Sequence, residues 1–221
     1  MLILAFDTTA SSLCASLLDD EKILAQNLIL ESGRQSELLI PEIEKILTGQ
    51  KVWYNDLGLI AATSGPGSFT GSRIGLTAAR TIKLATNLPL ILVNSCEAIA
   101  FKYRAKSGKI FVTLDAAMDE FFCAEFLAEN GKVKTVMEPC LASAEDLIKI
   151  APKDDFLLCG SGKKIAKEIL KNYQFEISED EDFLSADLVG LLALEKFNNG
   201  EISKNLDPLY LRMPRVEMRK K

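Results

Sequence analysis

"SGPGSFTGSRIGLTAARTIKLA", residues 64–85, places four glycines and a proline ahead of a run of helix-forming residues. A glycine-rich turn that leads into a helix can bind phosphate through the free backbone amides of the first helical turn. A P-loop, however, requires four residues between its first glycine and a Gly-Lys pair, and a dinucleotide loop requires G-x-G-x-x-G. Here no Gly-Lys pair follows, and Thr70 stands where the third glycine of a dinucleotide loop belongs. Both standard motifs are excluded, and weaker binding of an anion at the helix start stays an open alternative.

The helix behind this turn carries a second signal. Gly71, Gly75 and Ala79 recur every four residues and so share one helical face. Each glycine in a helix costs about 1 kcal/mol relative to alanine, so close packing against this face should offset that cost. The neighbour is either the chain's own sheet or a helix of a partner subunit, and the residues alone leave both open.

Working outward, the first half of the chain reads as an α/β layer. Three apolar segments up to residue 30 predict an antiparallel meander whose first strand ends at Asp7. A helical pattern over 34–48 follows, with Pro41 predicting a kink or a late start. Residues 57–105 then alternate strand, helix, strand, helix, which is typical of a parallel sheet.

The second half repeats this plan. A strand ends at Asp115, Asn130-Gly131 predicts a hairpin turn, and helices follow up to Gly200. The acidic run 179–182 is interpreted as a solvated loop.

Two related lobes, 1–104 and 105–221, are the plan of the actin-like, sugar-kinase-like proteins. We therefore expect an α/β fold in which each lobe has a mixed sheet flanked by helices. In that plan a turn aspartate from each lobe contacts the phosphates and metal of a bound nucleotide. The equivalent positions are candidates for a vestigial nucleotide site: Asp7, Thr8, Thr9 and Asp115. Capping of the turn is the alternative role for these aspartates. Lys163 and Lys164 could steer a phosphate or simply be exposed.

Composition excludes several classes of function. The chain has 221 residues, 48% hydrophobic and 26% charged, with a net charge of -5, so the whole protein has no general attraction to nucleic acid or anionic membranes. The segment 212–221 is an exception, with five basic residues and one acid (5 − 1 = +4). This basic tail is either a solvated terminus or a contact for RNA or an acidic partner.

The cysteine and histidine counts narrow the chemistry further. Five cysteines without a CxxC spacing predict reduced thiols in a cytoplasmic protein, without a zinc site or disulfides. Neither a signal peptide nor an apolar run long enough for a membrane span is recognisable. The 221 residues contain no histidine, which excludes a Ser-His-Asp triad and histidine metal ligands. We expect no cofactor and no resident metal.

Four segments together carry a family resemblance: "AFDTT", "GPGSFTGSRIGLTAAR", "VNSCEAIA" and "DPLYLR". With them the chain resembles, over nearly its whole length, the TsaB family of bacterial tRNA threonylcarbamoyladenosine synthesis. The resemblance implies a non-catalytic subunit that pairs with the catalytic paralogue TsaD and with the ATPase TsaE. That assembly transfers a threonylcarbamoyl group to N6 of the adenosine beside the anticodon in tRNAs that read codons beginning with A. It also implies contact with tRNA through the complex, and a homodimer when the chain is isolated.

The resemblance also identifies candidate residues. TsaD has an HxxxH metal motif, and its two histidine positions fall on Ser95 and Ile99 of this chain, with Glu97 retained between them. The metal centre therefore cannot be built here as it is in TsaD. The resemblance implies a partner interface on two helices of the first lobe, formed by Gly71, Arg73, Gly75, Ala78, Ala79, Ile82, Leu39 and Ile43.

Two hypotheses of different class remain. The first is the non-catalytic partner subunit. The second is an actin-like ATPase or small-molecule kinase that uses Asp7 and Asp115. A peptidase has little support, because neither a triad nor a metal site can be assembled from these residues.

Overall fold

The computed structural model describes residues 1–31 and 33–212 and contains two five-stranded sheets. The first sheet comprises β1 (Leu2–Asp7), β2 (Leu13–Asp19), β3 (Lys22–Ile29), β4 (Leu59–Gly65) and β5 (Leu90–Asn94). The second comprises β6 (Gly108–Asp115), β7 (Glu120–Glu129), β8 (Lys132–Ser143), β9 (Phe156–Cys159) and β10 (Phe175–Ile177). The helices are α1 (Gln35–Gly49), α2 (Phe69–Thr86), α3 (Ser95–Lys102), α4 (Ala144–Ile150), α5 (Lys163–Ile169) and α6 (Ala186–Asn198).

The two sheets have the same topology. The first has strand order β3-β2-β1-β4-β5 and the second has β10-β9-β6-β7-β8, which is the same order read from the other edge. In each sheet a three-stranded antiparallel meander continues into two parallel strands. The order of elements along the chain is also repeated, with three strands and then helix, strand, helix, strand, helix. The predicted mixed-sheet fold with two related halves is confirmed.

The apolar side chains form three cores, which arrange the molecule in layers. An outer core joins the first sheet to α1 and α2, and a second outer core joins the second sheet to α4 and α5. The largest core lies between the sheets and contains α3 and α6. Within this central layer α6, from the second half of the chain, packs on the first sheet, whereas α3 packs on strands of both sheets.

Several local predictions are confirmed. Asn130 and Gly131 both have positive φ and form the turn between β7 and β8, as the Asn-Gly pair predicts. Ser143 accepts a hydrogen bond from the amide of Asp146 and caps α4. The prediction for Pro41 was wrong in one respect: α1 does not start late but begins at Gln35 and continues through the proline.

The interpretation of the acidic run 179–182 as solvated fits its first three residues, which are exposed, and was wrong for the fourth. Asp182 is buried, and its carboxylate accepts hydrogen bonds from the amide of Gly160 (2.7 Å), from Ser178 Oγ (2.6 Å) and from the hydroxyl of Tyr103. Lys163 Nζ lies 2.9 Å from the same carboxylate and is also buried, so it is not an exposed lysine. This buried ion pair ties the acidic loop to the start of α5.

No helix in the described part of the chain has the length and apolarity to cross a bilayer.

Replacing Lys163 by methionine should reduce the free energy of unfolding by about 3–5 kcal/mol, because the Asp182 carboxylate then stays buried without its cation. Denaturant unfolding followed by circular dichroism measures this loss. The adjacent Lys164 is exposed, so Lys164→Met is a matched control expected to change stability by less than about 0.5 kcal/mol. Equal effects of the two substitutions would contradict the role of the buried pair.

The pH dependence follows from the same geometry. Desolvation acts to raise the pKa of Asp182, but hydrogen bonds from Ser178, Tyr103, Lys163 and the Gly160 amide outweigh it, so its pKa lies below the ordinary 3.8. The stability that this group contributes is therefore present above about pH 4 and is lost as the pH falls through the lower, folded-state value. Asp182→Asn should abolish that component of acid destabilisation.

Candidate functional site

The glycine face of α2 receives the loop that follows β1. A Cβ atom added at Gly75 would lie 2.5 Å from Thr8 Oγ1, and one added at Gly71 would overlap the carbonyl oxygen of Thr8. A Cβ atom added at Gly67, just before α2, would likewise collide with the backbone of Thr9. Thr8 Oγ1 donates a hydrogen bond to the Gly71 carbonyl (2.7 Å), and the Ser68 amide donates to the Thr9 carbonyl (2.7 Å). The glycines therefore serve close packing inside this chain, although their neighbour is the loop after β1 and not the sheet itself.

This packing also accounts for the burial of residues in the predicted interface, which itself stays a prediction. Most of its members are buried within this chain and point away from solvent: Gly71, Gly75, Ala79, Ile82, Leu39 and Ile43. The physical reason is that small residues let the chain's own loop approach, and the long apolar side chains fill the core under α1 and α2. Arg73 is exposed and Ala78 is half-buried, so these two do lie at the outer side of α2.

The carboxylate of Asp7 is held by hydrogen bonds from residues of this chain. It accepts hydrogen bonds from the amide (3.0 Å) and hydroxyl (2.6 Å) of Thr9, and from the hydroxyl of Thr63. The residue has 0% exposed surface. Burial raises its pKa above the ordinary value although these donors oppose the shift. This arrangement is the turn-capping role, and the carboxylate offers no accessible oxygen to a metal or phosphate.

The second half repeats the close approach with different residues. Gly160 and Gly162, on the turn before α5, lie against the backbone of Thr113 near the end of β6. The amide of Gly162 donates to the Thr113 carbonyl (2.9 Å). Asp115, unlike Asp7, is exposed and accepts a hydrogen bond from the Ala117 amide (2.8 Å). In both halves, then, a glycine turn clamps the end of the first strand.

A cleft of about 810 Å³ opens between these two strand ends. Its lining includes four of the predicted residues or their neighbours: Thr9, Asp115, Ala116 and Ala117. Asp7 and Thr8 do not line the cleft, so the structure brings only part of the predicted vestigial site to its surface.

The charges of the cleft do not suit a nucleoside triphosphate. Asp115 and Asp182 line it, and the basic lining residue that the structure describes is Arg212. The guanidinium of Arg212 is paired with Glu120. Most other lining groups are apolar or small hydroxyl residues. The described cleft therefore lacks an unpaired cation to balance phosphate charge.

The positions of the HxxxH motif also face this cleft. Ser95 is buried, and its hydroxyl lies 3.1 Å from the hydroxyl of Thr9; Ile99 is buried one turn later on α3. Both residues line the cleft. The retained Glu97 instead forms an ion pair with Lys196 of α6 (2.8 Å).

The sequence did not predict the contacts of residues 203–212, which form a strap over parts of α2, β4 and β5. Leu209 donates its amide to the Ser64 carbonyl (2.8 Å), and Arg80 of α2 binds Asp207 (3.0 Å). Tyr210 accepts a hydrogen bond from Arg73 Nε (3.0 Å) and packs against Phe69 with ring centroids 4.9 Å apart. Arg73 and Arg80 are seven residues apart and so share one face of α2. These arginines, together with the segment "DPLYLR", were the signal in the sequence for this contact. Of the basic tail, residues 213–221 lie outside the described part of the chain.

Helices α1 and α2 pack against each other, and we call their outer sides, apart from the stripe of α2 that the strap covers, the helical face. It carries the exposed apolar side chains of Ile40 and Leu84, at 45% and 87% exposure, and the half-buried Ala78. Isolated apolar side chains at the surface are ordinary, so these exposures alone do not define an interface.

Comparison with known proteins identifies the family. The family model described as "TsaD: tRNA N6-adenosine threonylcarbamoyltransferase" matches residues 30–193. The tRNA threonylcarbamoyladenosine biosynthesis protein TsaB of Escherichia coli is 27% identical over 96% of this chain and 95% of its own length. The chain belongs to this family, and within it to the TsaB proteins.

Solved structures show the same fold. YeaZ from Pseudomonas aeruginosa superposes with a TM-score of 0.80 at 20% identity, covering 95% of this chain and 99% of that one. The ROK hexokinase of Thermus thermophilus gives a TM-score of 0.50 at 12% identity over 90% of this chain and 100% of that one. The fold is therefore the actin-like, sugar-kinase-like one that the repeated halves predicted.

Gly75→Ala should lower the free energy of unfolding by about 1–3 kcal/mol, because the added methyl group collides with Thr8 Oγ1. Gly49→Ala is the matched control, since nothing lies within 4 Å of its Cβ position, and it should be neutral or slightly stabilising. Combining Gly75→Ala with Thr8→Ala removes the colliding hydroxyl. A double-mutant cycle from urea unfolding should then show favourable coupling between residues 8 and 75. Purely additive losses would contradict this packing.

Proposed function

We propose that this chain is the non-catalytic TsaB-type subunit of a cytoplasmic tRNA threonylcarbamoyladenosine transferase. In this role it pairs with a TsaD-type catalytic subunit, together with TsaE, for threonylcarbamoyl transfer to N6 of the adenosine beside the anticodon. Family membership supports a place in this modification system. The observation that carries the non-catalytic assignment is the pair of positions 95 and 99.

At these positions a TsaD protein would have its metal-binding histidines, and this chain has Ser95 and Ile99. The Ser95 hydroxyl is engaged with Thr9, and Ile99 belongs to the central core. Neither side chain is a ligand for a divalent metal, because a serine hydroxyl is a weak ligand and an isoleucine has no donor atom. These two positions now contribute to packing and hydrogen bonding within the scaffold.

The pairing surface in this proposal is the helical face. The buried glycines hold α2 firmly on the β1–β2 loop, and the half-buried Ala78 and exposed Ile40 are then available to helices of a second subunit. Two parallel helices from each subunit would form a four-helix contact. A homodimer of the isolated chain through the same face belongs to this proposal as well.

The alternative, an ATPase or kinase, gains no support from the site. It requires Asp7 to contact metal-bound phosphate, and Asp7 has no exposed surface.

Ile40→Arg tests the pairing surface. The substitution places a charge on the exposed helical face, so co-purification of the full chain with the TsaD-type subunit of its own organism should fall by tenfold or more. Ile165→Arg on α5 is a matched control with 50% exposure, and it should pair like the unaltered chain. If Ile40→Arg pairs normally while circular dichroism shows both variants folded, the helical face is not the interface.

Reconstitution tests the function itself. Transfer of label to tRNA from threonylcarbamoyl-adenylate labelled in its threonine, by the TsaD-type and TsaE-type subunits, should require this chain. Modification at an unchanged rate without the chain would overturn the proposed function.

A further inference from the structure

Two cysteines lie directly opposite each other in the second sheet. Cys123 on β7 is the register partner of Cys140 on β8, the last pair of a regular antiparallel stretch that runs from Glu120 and Ser143 to a shift of register directly after it. Directly opposed residues of an antiparallel pair have their side chains on the same face and Cα atoms about 4.5–5.5 Å apart. Disulfides span Cα separations of about 4.4–6.8 Å. The backbone therefore already holds the two residues at bonding distance.

The surroundings of the pair confirm that both side chains share one face. Cys123 is fully buried in the outer core that joins the second sheet to α4 and α5, with Phe121 and Leu147. Cys140 is half-buried at the rim of that core. Cys96, by contrast, belongs to the central core on the other side of the sheet. All five cysteines are free thiols in the structure.

We propose that Cys123 and Cys140 form a dithiol that small disulfides of the glutathione type oxidise reversibly to a cross-strand disulfide. The Cys140 thiolate attacks one sulfur of glutathione disulfide, whose S–S bond breaks and releases one glutathione thiolate. The Cys123 thiolate then attacks the Cys140 sulfur of this mixed disulfide and releases the second. The protein loses two protons and two electrons, and one glutathione disulfide becomes two glutathione molecules.

The order of the two steps follows from exposure. Cys140 is the member that a dissolved disulfide can reach, whereas Cys123 is covered by the core. Burial raises the pKa of both thiols, so both are protonated at neutral pH. Since the thiolate is the reacting form, exchange is slow, and the bond should form only under sustained exposure to the oxidant.

Oxidation of the full-length, folded chain with glutathione disulfide tests the proposal. Trypsin places Cys123 in peptide 110–132 and Cys140 in peptide 135–149, and Cys96 falls in peptide 84–102. Mass spectrometry without reduction should show 110–132 linked to 135–149, and dithiothreitol should release the link. A chain that forms no linked peptide, that keeps glutathione on Cys140, or that links 84–102 instead would overturn the assignment.

Single variants separate the two steps. Cys140→Ser should give neither the link nor an adduct at Cys123, whereas Cys123→Ser should retain glutathione on Cys140. If Cys123→Ser does not fold, Cys123→Ala serves the same purpose without burying a hydroxyl. Cys96→Ala is the control across the sheet and should leave the link intact; its loss in this variant would contradict the pairing.

Discussion

The contact between Thr8 and the glycine face of α2 is the constraint on which the arrangement of the first half depends. It fixes the end of β1 against α2, the helix that follows β4. Strands β1 and β4 are themselves neighbours in the sheet. No side chain larger than hydrogen fits at Gly71 or Gly75 while the loop keeps this position. The hydrogen bonds that the buried Asp7 carboxylate accepts hold the loop from its inner side, so that strand, loop and helix are joined in one unit.

The cleft between the strand ends can be viewed in the same terms. A hexokinase has the same overall fold, so the fold itself is compatible with an enzyme. Here the first turn aspartate satisfies its own loop, and the cleft presents two carboxylates and one paired arginine. These charged groups therefore serve hydrogen bonds and ion pairs within the described part of the chain.

Much of the fold could be predicted from the sequence, because it depends on short-range patterns. The hairpin at Asn130-Gly131, the cap at Ser143 and the alternation of strand and helix are all local features. The ion pair of Lys163 and Asp182 could not be predicted, because nothing in a run of acids marks the one that a distant lysine will bury. The partner of the glycine face was equally ambiguous, since small residues record a close approach without identifying the neighbour.

The central layer has a further consequence for motion. Helix α3 from the first half and α6 from the second lie together between the sheets, in the largest apolar core of the molecule. Two halves of a chain can rotate relative to each other when little apolar surface is buried between them, and a large apolar interface suppresses such rotation. In this protein the junction is itself the main core, so opening the cleft would expose it to water. The two halves should therefore move as one body, and a partner would meet a surface of fixed shape.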